Sequence, residues 1–521
     1  MHWTINLCTT LYNLSNNRGV DNTARYVISF FPRSFVINLI PKLLLCSYLL
    51  LASTASAQVL NNKNALPDIG VVGANTLSIE EEQSIGKMIY AQLRGQGGVL
   101  YDPVVQEYIQ SLGNKLVIHA DNTKYPFSFF VINNQDLNAF AFFGGHIGVH
   151  TGLIYTTEDE GELASVLAHE IAHVTQRHIV RKMQAQERSS PMQIASLIGG
   201  AILMMASPEA GIAAISAGNA GAIQSNINYT RTFEKEADRI GIKILSDAGY
   251  DPFSAADIFS RMMESKRWSS QTPAFLQTHP LSLNRVAEAR NRAENLPSSR
   301  LRNSLMFDLV KARIKARYYF TAQHNIIDFT AQIQKLQPEF KLDDSADKQP
   351  KLAITQQTTH LYYGLAIALL RNKDYPQAQG LLEQLLTTSP ENLAYVDALA
   401  DVYLEQSEFQ QAVTMLAPLA QKLPNNEIVT LNFANVLHKA GQQKQAIEVL
   451  KDFLMISPGN VLGHQLISDA YAASKQPMLM HQANAEFYQL LSIYGKAIDE
   501  LQFAYNYADN FLTKQRIRAR I

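Results

Sequence analysis

Apolar and polar positions follow one another along this chain in several rhythms, and each rhythm predicts a different element. From about Leu77 to Gly113 apolar residues return every three to four positions, the spacing of a helix buried along one face. Phe127-Ser128-Phe129-Phe130-Val131-Ile132 is aromatic and β-branched and predicts a strand. Gly144-Gly145 turns into residues 146–151, a second strand whose free edge could hold an extended peptide through backbone hydrogen bonds. A helix is expected to start at Glu162. Over residues 166–174 it is apolar on most of its circumference, which marks it as buried. Residues 191–226 are rich in Ala, Gly, Ile and Met and carry charge only at Glu209. Their two apolar stretches, on either side of Ser207-Pro208-Glu209, are each too short to span a bilayer. They read as a mobile lid or as a surface for lipid or unfolded chain, with a buried helical hairpin as the alternative. Residues 271–283 predict a loop around Pro273 and Pro280, followed by a helix through Arg285 and Arg290, and the polar residues 341–350 predict a linker.

Beyond residue 350 the pattern repeats. Pro390, Pro424 and Pro458 recur at an interval of 34 residues, as do Ala366, Ala400 and Ala434, and again Ala378, Ala412 and Ala446. This is the tetratricopeptide period, in which small residues let paired helices pack closely and the proline opens the next unit. A degenerate fourth unit is expected over residues 461–494, and helices around 303–338 are expected to cap the array. Such stacks bind protein segments, a plain spacer being the alternative.

The 521 residues are enough for two or three domains with their own cores. The near balance of 45 Lys and Arg against 46 Asp and Glu, with no basic block, gives no reason to expect nucleic acid as a partner. Lys42, a short apolar run and Ala55-Ser56-Ala57 form a secretory signal peptide, so residues 1–57 are set apart as a leader, its first forty or so residues being unusual for one. Cys8 and Cys46 both lie in it, which leaves the mature chain without a disulfide or a thiol ligand.

The buried run contains His169-Glu170-Ile171-Ala172-His173, an H-E-x-x-H motif. One helical turn separates the two histidines, so both imidazoles leave one face and can close on one metal ion. Glu170 is placed to act as general base on a water there. The chemistry is that of a zinc peptidase, with one Zn²⁺ per chain. A third ligand on the same stretch would need glycine and histidine where Gln176 and Ile179 stand. His178 reads as a polar surface residue, and His146 and His150, on one strand face, are weaker candidates. Glu234 and Asp238 share a helical face farther on. Glu234 can complete the ligand set of His169 and His173, while Asp238 accepts a proton from a ligand imidazole and Glu236 points elsewhere. A solvated helix start is the plainer alternative.

These motifs, followed by Thr278-His279-Pro280-Leu281 and Arg285, resemble the HtpX/CAAX-prenyl-protease family of zinc peptidases. Leu66-Pro67-Asp68-Ile69-Gly70, Leu77-Ser78 with Glu80-Glu81-Glu82, Asn138-Ala139-Phe140-Ala141 and Gly144-Gly145-His146-Ile147-Gly148-Val149 extend the resemblance over most of residues 66–290. Phe143 departs from it, the family usually having proline before the paired glycines. With the repeats, the whole resembles the periplasmic β-barrel assembly-enhancing proteases.

The expected fold is mainly α with a small β-sheet in the protease domain: a gluzincin-type zinc peptidase domain (58–300), connecting helices and linker (301–350), and an α-solenoid of tetratricopeptide repeats (351–521). The resemblance implies a periplasmic endopeptidase with chaperone-like activity on unfolded or misassembled outer-membrane β-barrel proteins, reaching the β-barrel assembly machinery through the repeats. Peripheral membrane contact is a further use for residues 191–226. The rival is an assembly adaptor whose zinc site is latent. His279 could fill the open fourth position of the metal, as the resemblance implies, or stabilise the transition state. Arg285 could stabilise an oxyanion, or be a surface residue paired with Glu288.

Overall fold

The computed structural model describes residues 77–185, 223–268, 273–298, 303–342 and 354–521. The expected leader, the Leu66–Gly70 motif, nearly all of the apolar 191–226 segment and the polar residues 343–350 lie outside them. The described chain is mainly helical, with one three-stranded sheet.

Helix α1 (Ile79–Gly95) opens with a capping box in which Ser78 and Glu81 satisfy each other's backbone N–H. The helical pattern read from Leu77 to Gly113 is carried by two helices. The chain breaks after Gln96, Val99 bridges to Ile132, and α2 (Pro103–Val117) starts afresh from an Asp102 cap with proline at its first position. Strand β1 (Ser128–Ile132) is where the aromatic run predicts it. Strand β2 (Ala139–Phe142) was not foreseen; it folds back through Gly144 and Gly145, both at positive φ, into β3 (His146–His150). Phe143, in that turn, is buried in one apolar cluster with Phe130 and Ile89.

The sheet order is β1-β3-β2, with β3 parallel to β1 and antiparallel to β2. Both edges of β3 are therefore paired, which corrects the expectation that it offers a free one. Among the described strands the outer strand on the motif-helix side is β2, a four-residue element too short to show a period of its own.

A short helix α3 (Thr151–Thr156) leads to the motif helix α4 (Glu160–Thr175), capped by Asp159 and buried along almost its whole length. Helices α5 (His178–Ala185), α6 (Ile223–Asp247), α7 (Ser254–Trp268), α8 (Ala274–Thr278) and α9 (Leu283–Glu294) follow. Helix α4 is surrounded by α2, α6, α7 and β2. The loop expected over 271–283 contains α8, whose Phe275 N–H donates to Leu137 O just before β2.

Helices α10 (Leu305–Tyr318) and α11 (Ala322–Leu336) connect to the repeats. The repeats are the pairs α12 (Thr359–Asn372) and α13 (Tyr375–Thr388), α14 (Leu393–Glu405) and α15 (Phe409–Lys422), α16 (Glu427–Lys439) and α17 (Gln443–Ile456), then α18 (Val461–Ala473) and α19 (Pro477–Leu490). A further pair, α20 (Tyr494–Tyr507) and α21 (Phe511–Arg518), closes the described chain. The six alanines that mark the period are all fully buried, because a larger side chain would hold the helices apart. Two more positions share the period. Asn392, Asn426 and Asn460 cap the helices that follow each proline. Lys373, Ser407, Gly441 and Lys475 end the first helix of each pair at positive φ, and only one of them is glycine. The non-glycine residues there cost roughly 1–2 kcal/mol each in backbone strain.

One apolar core runs from α2 and α4 into the repeat helices α12 and α14. A buried charge network crosses the same boundary. Arg313 on α10 is 1 % exposed; its Nε donates to Asp102 Oδ2 (2.8 Å), its Nη1 to Tyr363 Oη (2.9 Å), and its Nη2 lies 2.7 Å from Asp397 Oδ2 on α14. Tyr318 donates to Asp102 as well, Arg317 pairs with Asp401, and Asn432 on α16 donates to Asp397. Burial alone would raise the Asp102 carboxyl, but Arg313 and then Arg317 overcome that and hold it below its ordinary value of 3.8. A depressed carboxylate contributes its full stabilisation above that ordinary value and loses it as pH falls through the folded one, so this network weakens only in acid.

Arg313→Met would leave two buried carboxylates without their common partner. The expected loss is about 3–5 kcal/mol of stability, measured by denaturant unfolding at neutral pH, and a loss within experimental error would show that the network holds nothing.

Candidate metal centre

Helix α4 presents His169 and His173 on one face and is stopped by Arg177. That residue sits at φ 50, a costly conformation for a residue with a side chain, and its buried guanidinium compensates by donating Nε to Glu82 Oε1 (2.7 Å) and Nη2 to Leu77 O (2.6 Å). The break swings α5 round so that His178, its first residue, returns to the centre instead of pointing to solvent. His178 is buried, with Nδ1 3.0 Å from His173 Nδ1 and Nε2 3.2 Å from Glu236 Oε2. This corrects the reading of His178 as a surface residue, which assumed an unbroken helix. Burial is the main cause that lowers its pKa, to about 2.

Helix α6 brings Glu234 and Asp238. It crosses α4 at Gly241, one turn beyond Asp238, and the approach is close. A Cβ there would lie 3.0 Å from His169 N and 3.1 Å from Ala168 C and His169 Cα. A Cβ there would press on the α4 backbone more tightly than an ordinary contact, so the crossing favours glycine.

Where the helices cross, His169, His173, Glu234 and His279 each bring one donor atom within 4.8 Å of the others. Among the described residues this is the group able to hold a metal ion. His169 Nε2 is 3.1 Å from His173 Nε2, 3.3 Å from His279 Nδ1 and 3.4 Å from Glu234 Oε2. Three imidazoles and a carboxylate this close bring lone pairs into opposition, and a cation among them resolves the conflict, so the residues fit a metal. His146 and His150 lie outside the group.

His169 Nδ1 lies 3.1 Å from Asp238 Oδ1. Counting protein charges alone, burial would lower the His169 pKa, but Asp238 and Glu234 win and raise it to about 10. Burial would likewise raise the Glu234 carboxyl, yet His279 and the two motif histidines hold it well below the usual carboxylate range. Glu170 is 1 % exposed; its Oε1 makes no well-aligned hydrogen bond and lies 3.3 Å from His279 Nε2. The His279 ring stacks on Phe275 of α8, with centroids 4.6 Å apart.

Arg285, on α9, is neither exposed nor paired with Glu288, which instead meets Lys235. Its Nε and Nη2 donate to the two oxygens of Asp238 (2.7 Å each), and Nη1 donates to Pro280 O (2.8 Å) and lies 3.0 Å from Glu234 Oε2. The guanidinium stands behind the carboxylates with its donors engaged. Its place is that of an anchor for Glu234 and Asp238, not of a free donor awaiting an oxyanion. Sequence reasoning missed Gly241 and set Glu236 aside as pointing elsewhere; neither carries a local signal, since one matters only at a helix crossing and the other only beside a ring brought in by a kink.

Residues 103–293 match the family described as Peptidase family M48, and residues 369–431 match the Tetratricopeptide repeat. The chain is 40 % identical over 438 residues to a Vibrio cholerae protein named putative beta-barrel assembly-enhancing protease, spanning 84 % of this chain and 87 % of that one. It is 36 % identical over 444 residues to the beta-barrel assembly-enhancing protease of Escherichia coli strain K12, spanning 85 % and 88 %. The mitochondrial metalloendopeptidase OMA1 of Schizosaccharomyces pombe is 26 % identical over 236 residues, 44 % of this chain and 65 % of that one.

Gly241→Val should force α6 away from α4 and spread the donor set. Metal affinity, read by competition with a chelator, is expected to fall by about 10-fold or more, in the range seen when ligand geometry is disturbed. Unchanged affinity would mean that the close crossing does not set the site.

Proposed function

The chain belongs to peptidase family M48, beside the β-barrel assembly-enhancing proteases, and on that premise we propose that it is a periplasmic zinc endopeptidase acting on unfolded or misassembled outer-membrane β-barrel proteins. The observation that carries the zinc reading is the convergence of His169, His173, Glu234 and His279. Nitrogen and carboxylate donors in fours suit zinc, and Cys8 and Cys46 both fall in the expected leader. Bound there, zinc would supply Lewis acidity toward a peptide carbonyl and bring the pKa of a water to about 7.

In this reading His169, His173 and Glu234 are the resident ligands. Asp238 orients His169 from behind, and Arg285 fixes both carboxylates. Glu170 takes the proton of the attacking water and returns it to the leaving amine, a task suited to a carboxylate kept from bulk solvent. A client strand would lie along β2, adding backbone hydrogen bonds at the outer strand of the sheet. The repeats would bind the client or the β-barrel assembly machinery.

His279 makes the donor set four, and a zinc ion with four protein ligands has no position left for chemistry. Its Nε2 also faces Glu170, the base that a water would need. The arrangement is therefore a resting one, with His279 as a plug held by the stack on Phe275 and by the α8 bond to Leu137. A chain adding to β2 would contend with that bond and loosen α8. The same closed set favours a second reading, an assembly adaptor that seldom cleaves.

Glu170→Gln should keep one zinc per chain and lower cleavage of an unfolded barrel protein by about 10²–10⁴-fold. Wild-type cleavage by that variant would remove Glu170 from the chemistry, and no cleavage by the wild type would leave the adaptor reading. Full zinc occupancy in His173→Ala would overturn the ligand assignment. His279→Ala should raise basal proteolysis, including self-cleavage; a loss of activity with zinc retained would make His279 a catalytic residue instead.

A further inference from the structure

We propose that His178 is a positioning residue of the metal centre, its ring linking the Glu236 carboxylate to His173 so that His173 presents Nε2 to the metal. The inference rests on the reading above in which His173 is a ligand.

With His173 a neutral ligand imidazole and one proton on each ring, the hydrogen bonds allow one arrangement of those protons. His178 Nε2 faces Glu236 Oε2 at 3.2 Å, and a carboxylate oxygen there accepts, so Nε2 must carry the proton. Arg181 Nη1 donates to the same oxygen at 2.9 Å and holds the carboxylate in place. A neutral imidazole protonated on Nε2 has a bare Nδ1, which can only accept. That Nδ1 faces His173 Nδ1 at 3.0 Å, so the second proton sits on His173 Nδ1. His173 is left with a bare Nε2, the atom that lies 3.1 Å from His169 Nε2 and 3.4 Å from Glu234 Oε1. The reverse arrangement would set the His178 Nε2 lone pair against a carboxylate.

The two motif histidines are thus oriented from behind in different ways. His169 has Asp238 directly against Nδ1, while His173 reaches its carboxylate through a second imidazole. Among the described residues, His178 is the hydrogen-bond partner found for His173 Nδ1. The relay is built by the fold: the left-handed break at Arg177 brings His178 inward, and Phe233, next to Glu234, stacks on the His178 ring at 4.5 Å. Arg181 lies over that same Phe233 ring.

The competing account is that His178 merely fills space against Phe233, and the two predict opposite orders of substitution. His178→Phe keeps the stack and loses the acceptor. His178→Asn gives up the stack and keeps an acceptor oxygen near the position of Nδ1. Zinc affinity of the full chain, measured by competition with a chromophoric chelator, should fall about 10- to 100-fold in His178→Phe and stay within several-fold of wild type in His178→Asn. Glu236→Ala, a change at a partly exposed side chain that leaves the core rings intact, should lower affinity in the same direction by less. His178→Phe binding zinc as well as or better than His178→Asn would overturn the relay in favour of packing, and wild-type affinity in Glu236→Ala would overturn its carboxylate end. His173→Ala separates the two levels. If it retains wild-type affinity, the ligand reading fails and the relay with it; if it loses zinc while His178→Phe does not, only the relay fails.

Discussion

The centre depends on how closely two helices approach at Gly241. His169 and His173 come from α4, Glu234 and Asp238 from α6, and the donor atoms meet because the two backbones come within van der Waals contact there. The group contains buried charges, and taking an ion out of water costs several kcal/mol unless its partners are well placed. Asp238 and Glu234 share the Arg285 guanidinium, and Asp238 also faces His169. A small shift of either helix would lengthen several of these bonds at once. The crossing is therefore a condition for the site's electrostatics as much as for its shape.

Buried arginines do similar work elsewhere in the chain, each joining segments far apart in sequence. Arg177 ties the end of α4 to α1 through Glu82, and by doing so holds the break that turns α5 inward. Arg313 ties α2 to the repeats through Asp102 and Asp397. Such pairs add little net stability over apolar substitutes, but they tolerate few alternative arrangements, because any other one strands a charge. With the continuous apolar core beside them, they make the repeats and the peptidase helices a joint structure instead of two units on a tether. Helices α12, α14 and α16 are buried along most of their length for that reason.

Much of this was legible in the residues, because it follows local rules. A 3.6-residue period places His169 with His173 and Glu234 with Asp238 on single helix faces, and a 34-residue period places the small residues where paired helices touch. Mainly helical architecture with a small sheet, and a metallopeptidase followed by repeats, follow from those periods and motifs. The tertiary structure decided what depends on where the chain turns and what lies across from it. An unbroken helix would put His178 at the surface, and the left-handed Arg177, held by a partner 95 positions earlier, puts it against His173. A strand of four residues became the outer strand of the sheet, leaving β3 in the middle. Of the two readings open for Arg285, the surface one fails because α9 packs on α6 and buries it. Periodicity records which face of an element is buried; it carries no information about which distant element covers that face, and the orienting contacts of this site are all of the second kind.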